Sequence, residues 1–360
     1  MNQFSTKIPQ GHQEILQQTK LGRLCGSNFL FRERYKILQI LGRGGFGVTF
    51  LAKDAVLPGS PLCVIKQLCP KTTNSKSWAL ACDRFEKEAK ILGQLGSHSQ
   101  IPMLLNYFKG NGEFYLVQEY VRGYTLAQEI KLSGIKNEAA VKQFLQEVLG
   151  ILRYIHKNHV IHRDIKPQNL IRCSDDGRLV LIDFGAVKEQ LIHASQSPID
   201  QISSTNFIGT VGFAPPEQFS LHAVYASDIY AVGVTCLYLL TGKTPLELDY
   251  DSTTGEIFWQ KEVRISENFA GILGKMLKIS IQERFHSVDD VIWALKMESS
   301  LPSLMSCLTT QPLKDDTTMV EEQIFQKYQP PVARTANAIR EWKAKLKARN
   351  SQNRLKYFSV

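Results

Sequence analysis

The chain has 360 residues, 43% hydrophobic and 21% charged, an ordinary globular balance that supports a sizeable core in one large domain or two smaller ones. Its seven cysteines are scattered, with no CxxC pair and no His/Cys cluster at zinc-ligand spacing, so free thiols in a reducing cytosol are expected and a zinc ribbon is excluded. Of the net charge of +9, +7 lies in residues 331–360, where eight Lys/Arg face one acid, Glu341; the basicity belongs to the tail, and no nucleic-acid partner is expected.

Residues 1–34 are polar with little periodicity and read as a leader or loosely attached arm; no apolar stretch there suggests a signal peptide. From Tyr35 to Val121 strand-like segments dominate: YKILQIL, a glycine-rich turn, VTFLA, CVIKQL and, after a helical stretch from Arg84 to Leu95, FYLVQEY. Beyond Gly123 the pattern turns helical. Val141, Phe144, Leu145, Val148, Leu149, Leu152 and Ile155 give the stretch Glu138–His156 one apolar face. Short β-type segments, LIRC and LVLID, come next, followed by a Ser/Gln/Thr-rich loop from Lys188 to Ile208. Further helices run to Glu298. Among them the apolar run Tyr230–Leu240 is about half the length of a membrane span, so it predicts a buried helix in a soluble, cytoplasmic protein. The order implies an α+β chain with a small β-rich lobe over 35–121, a larger helical lobe over 122–298, and a basic tail over 299–360. In the tail Ile339, Trp342 and Leu346 mark an amphipathic helix. That helix packs on the core or extends into solvent in the plainer reading; the alternative is contact with an anionic membrane surface or an acidic partner.

Three motifs carry chemistry. Gly42-Arg43-Gly44-Gly45-Phe46-Gly47 spaces glycines so that backbone lies close to phosphate oxygens with no side chain between. A dinucleotide fold would need a helix directly afterwards, whereas VTFLAKD reads as a strand. Lys66, in the apolar strand Val64-Ile65-Lys66, can reach phosphate oxygens, and Glu88 on the next helix can hold it by an ion pair. Glu88 is preferred over Glu86 because Leu92, one turn on, puts it on the core face. The third is His162-Arg163-Asp164-Ile165-Lys166-Pro167-Gln168-Asn169, followed by Asp183-Phe184-Gly185. Phosphoryl transfer to a hydroxyl needs a group to accept its proton and cations to neutralise the moving charge. Asp164 suits the first task, Lys166 can steady the γ-phosphate, and Asn169 and Asp183 offer hard oxygens to magnesium, with manganese as an alternative.

Together these motifs resemble the protein kinase superfamily, specifically the eukaryotic-like (Hanks-type) serine/threonine kinases of bacteria, across about Tyr35 to Glu298. The resemblance implies ATP as phosphoryl donor and proteins as acceptors. It also implies a two-lobed fold whose nucleotide site includes Leu41 and the glycine turn, Thr49, Val64, Lys66 and Glu88. Glu119 and Val121 would offer hinge backbone to adenine, with Gln118 beside them and Ile171 as the floor. Gly209 to Glu217 resembles the segment closing the activation loop, with Glu217 paired to Arg284, and Asp228 is expected to bind the backbone of the catalytic loop. Lys166 and Thr210 point to serine/threonine specificity, and Ser203, Ser204 and Thr205 are the loop residues expected to take a phosphate that pairs with Arg163. Proline at 215, threonine at 49 and valine at 64 depart from the family pattern without removing a chemical group. A scaffold that binds nucleotide without transferring it would lack one of Lys66, Asp164, Asn169 or Asp183. A small-molecule kinase would lack the Glu217 and Arg284 pair.

Overall fold

Alternation along three strands divides their residues between two faces, and this division builds the smaller part of the molecule. Val48, Phe50 and Ala52, Cys63 and Ile65, and Tyr115 and Val117 are buried in one apolar cluster. Thr49, Val64, Lys66, Leu116 and Gln118, one residue out of step, therefore face the opposite side. The structure, a computed structural model, describes residues 19–43, 47–69, 75–96, 98–110, 112–185, 188–189, 212–220 and 222–308. The strands are β1 (Leu30–Phe31), β2 (Tyr35–Arg43), β3 (Gly47–Asp54), β4 (Leu62–Leu68), β5 (Leu104–Gly110) and β6 (Glu113–Glu119), in one antiparallel sheet of order β1-β2-β3-β4-β6-β5. Its register sets Thr49 opposite Lys66, Val64 opposite Gln118 and Lys66 opposite Leu116.

Each face has its own cover. One packs against α2 (Ser75–Leu95) through the helical stripe Ala81, Phe85, Ala89, Leu92 and Leu95; the helix begins nine residues before the stretch expected from Arg84. The other is covered by α1 (Lys20–Leu24), where the Thr19 hydroxyl caps the helix by accepting the Gly22 N–H at 3.0 Å. Leu21 is fully buried there, its N–H donating to Gln67 Oε1 at 3.3 Å, and Phe31 on β1 joins the same cluster. Leu21 and Phe31 thus share one apolar cluster with Tyr35 and Ile37 of β2. Leu21→Ala is expected to destabilise the chain by about 2–5 kcal/mol, read as a lower denaturant midpoint at unchanged slope. A loose arm would give no shift.

The larger, mostly helical part follows. β7 (Gly123–Thr125) leads to α3 (Leu126–Ser133) and α4 (Glu138–Lys157), the latter capped by the Asn137 side chain. The predicted stripe on α4 is buried, with Ile151 added. Short strands β8 (Val160–Ile161), β9 (Leu170–Cys173), β10 (Leu179–Leu181) and β11 (Lys188–Glu189) follow, β9 pairing with both β7 and β10, and β11 with β8. Next are α5 (Pro216–Phe219) and α6 (Tyr225–Thr241); α6 is buried from Ala226 to Leu240, so its apolar run is core. The hairpin β12 (Asp249–Tyr250) and β13 (Ile257–Phe258), α7 (Glu267–Met276) and α8 (Val288–Leu308) complete the order. Among the described residues no helix is long and apolar enough to cross a membrane, and Cys25, Cys63, Cys69, Cys82, Cys173 and Cys236 are free thiols. The expected tail helix over 339–346 lies outside the described residues.

Candidate active site

The pleat that buries Ile65 turns Lys66 to the opposite face, toward α2. There its Nζ lies 2.5 Å from Glu88 Oε1 and 3.1 Å from Asp183 Oδ1. Glu88 is 4% exposed, whereas Glu86 pairs with Lys109 at the surface, as the helical spacing predicts. Burial alone would lower the Lys66 pKa; the charges of Asp183 and Glu88 outweigh it and raise the pKa above the ordinary lysine value. In turn the Lys66 ammonium holds the Asp183 carboxyl below its usual range, so both groups are charged at neutral pH. The Asp183 side chain remains 47% exposed, its carboxylate reachable from solvent.

Around this centre lie the other residues expected to meet a nucleotide. Leu41, Gly42 and Arg43 end β2, Gly47 begins β3, and Thr49 and Val64 lie on the Lys66 face. Gly44, Gly45 and Phe46 lie outside the described residues. A Cβ on Gly47 would collide with the Gln67 carbonyl, so packing explains that glycine. A Cβ on Gly42 would meet nothing within 4 Å among the described residues, so contacts with them do not explain this one. Gln118 is buried at the end of β6, and Glu119 donates its N–H to the Met103 carbonyl at 2.9 Å. Val121 packs with Cys173 and Val180, and Ile171 lies against them.

The catalytic-loop residues are held as a unit. Lys166 Nζ donates to Asp164 Oδ2 at 2.8 Å. Asn169 Nδ2 donates to the same carboxylate oxygen at 2.9 Å and to the Asp164 carbonyl at 2.8 Å, which turns its own Oδ1 away from Asp164. The Ile182 N–H donates to the Asn169 carbonyl at 2.9 Å, so the segment after β10 that carries Asp183 is tied to the loop carrying Asp164. Phe184 meets the His162 ring edge-on at 4.8 Å. Arg163 and Asp183 hold left-handed φ of 69° and 66°, uncommon for residues with side chains.

Beneath the loop, fully buried Asp228 accepts the N–H groups of His162 at 2.9 Å and Arg163 at 2.8 Å. Burial alone would raise its carboxyl pKa; the hydrogen bond and charge of His156, 2.9 Å away, help hold it below the ordinary value. Arg284 donates to both Glu217 oxygens, at 2.6 and 3.4 Å, and to the carbonyls of Ala226, Lys278 and Ile279. Sequence reasoning missed three partners. These are His156 under Asp228, Ser227 donating to Glu217 Oε1 at 2.8 Å, and Gln218 donating to the Arg163 carbonyl at 2.6 Å. Only His156 carried a signal, a lone imidazole at the end of an amphipathic helix. Ser203, Ser204, Thr205 and Thr210 lie outside the described residues. Arg163 is buried, and its Nε has no hydrogen-bond partner among the described residues.

Comparison with known proteins covers most of this region. The sequence profile of the family described as protein kinase domain matches residues 35–296. Serine/threonine-protein kinase B of Synechocystis sp. is 50% identical over 303 residues, covering 84% of this chain and 53% of that protein. Serine/threonine-protein kinase PknA of Nostoc sp. is 43% identical over 273 residues, 74% of this chain and 48% of that protein. Serine/threonine-protein kinase PrkC of Bacillus subtilis is 30% identical over 215 residues, 59% of this chain and 31% of that protein. The chain spans about half the length of the two cyanobacterial relatives.

Proposed function

Because this chain belongs to the protein kinase family, among the bacterial serine/threonine kinases of the Hanks type, we propose that it transfers the γ-phosphoryl group of ATP to serine and threonine hydroxyls of protein substrates. One observation carries this reading. The ion pairs Glu88–Lys66–Asp183 and the hydrogen-bonded set Lys166–Asp164–Asn169 are joined through the Ile182–Asn169 backbone bond, so the candidate triphosphate and acceptor groups share one site.

In this reading Lys66, held by Glu88, binds α/β-phosphate oxygens as a fixed positive charge. Free of described neighbours within 4 Å, Gly42 lets phosphate approach its backbone. Thr49, Val64 and Ile171 line the adenine site beside Gln118. With its N–H committed to Met103, Glu119 contributes its carbonyl to the hinge, and Val121 contributes backbone. Asp183 and Asn169 fit magnesium: one exposed carboxylate, ionised at neutral pH, and one amide oxygen are hard donors of the kind that share a cation with phosphate. When bound, the cation neutralises charge developing on the transferred group. Asp164 accepts the proton of the incoming hydroxyl, and Lys166 steadies the γ-phosphate from the same carboxylate.

A nucleotide-binding scaffold without transfer is the rival, and the complete set of charged groups in contact argues against it. Asp183→Asn is expected to abolish transfer to a generic protein substrate and to weaken the magnesium dependence of nucleotide binding. Turnover near that of the parent chain would contradict the assignment of Asp183 to the metal.

A further inference from the structure

Arg163 precedes Asp164 and holds φ at 69°, a backbone state that a residue with a Cβ keeps only when its surroundings compel it. Two groups grip the peptide units on either side. The Asp228 carboxylate accepts the Arg163 N–H at 2.8 Å, and Gln218 Nε2 donates to the Arg163 carbonyl at 2.6 Å. The second of these planar units also contains the Asp164 nitrogen, so its tilt sets the direction in which the Asp164 side chain leaves the backbone.

Gln218 is 1% exposed and lies on α5, directly after Glu217, whose carboxylate is fixed by Arg284. Its own N–H closes on the Pro215 carbonyl at 3.0 Å. A carbonyl only accepts, so the amide must present its NH2 to Arg163, and chemistry settles its orientation. Burying an amide is costly unless it is hydrogen-bonded, and this bond joins the end of the Gly209–Glu217 segment to the turn that carries Asp164.

We infer that Gln218 is a positioning residue for phosphoryl transfer, aiming the Asp164 carboxylate through the Arg163–Asp164 peptide unit while α5 is seated on Arg284. The inference rests on the role of Asp164 proposed above. Without the Gln218 amide, the Arg163 carbonyl loses this donor, the Arg163–Asp164 peptide unit is left with the long bond from the Asp164 N–H to His162 Nδ1 at 3.4 Å, and Asp164 drifts from the acceptor hydroxyl. The adenine and α/β-phosphate contacts proposed above, which lie on other elements, are unaffected.

Steady-state kinetics of Gln218→Met, similar in length but without a donor, tests this. The expected result is a kcat about 10- to 100-fold lower, with KM for ATP within about twofold of the parent and an unfolding temperature well above that of the assay. Gln218→Asn, whose amide falls one methylene short, is expected to lose kcat in the same direction but by less. A Gln218→Met kcat within about twofold of the parent overturns the inference. So does loss of kcat in both variants only in proportion to loss of folded protein. A parent chain that transfers no phosphate overturns the kinase reading itself, which is a separate outcome.

Discussion

Asp164→Asn is expected to lower kcat by about 10²–10⁴-fold while leaving nucleotide affinity close to that of the parent. Asparagine preserves the shape of the side chain, and Lys166 and Asn169, which donate to Asp164 Oδ2 at 2.8 and 2.9 Å, remain beside it. What is lost is the basic oxygen that takes the hydroxyl proton. Lys66, Glu88 and Asp183 lie on other elements and keep their ion pairs, so the α/β-phosphate side of the site is untouched. Transfer rates and an ATP titration on the same preparation check this. Equal losses in both would show that Asp164 supports binding rather than chemistry.

The second large effect is on stability. Arg284→Ala is expected to cost about 3–5 kcal/mol, because it leaves the Glu217 carboxylate buried without its partner. Arg284 is fully buried, and all five of its N–H groups are used: two on Glu217 and three on the carbonyls of Ala226, Lys278 and Ile279. Removal therefore strands three acceptors as well as one anion. Its guanidinium also lies 5.0 Å from the Tyr230 ring. Chemical denaturation gives the number directly, and a loss below about 1 kcal/mol would mean the pair is solvated rather than buried.

What could be read from the sequence was whatever chemistry or periodicity constrains locally. Lys66 and Glu88 were legible together because strand alternation and helical spacing each assign a face, and the two faces meet. The α4 stripe was legible because 20 residues of one helix repeat the pattern over several turns. In contrast α1 has five residues, KLGRL, too few to show a period, and Leu21 gains its burial only because the sheet supplies a face for it. The hairpin of β12 and β13 has two residues in each strand and no period to read. Gln218 acts through a partner 55 positions away in the chain, so no local pattern foretells it, and the imidazole of His156 at a helix end does not name its partner 72 positions away.

The most direct test of the central claim is transfer of label from [γ-32P]ATP by the purified chain to a generic protein substrate with magnesium present, followed by phosphoamino-acid analysis. The account predicts magnesium-dependent label on serine and threonine that disappears in Asp164→Asn. Nucleotide binding at full occupancy with no label above that variant would contradict it.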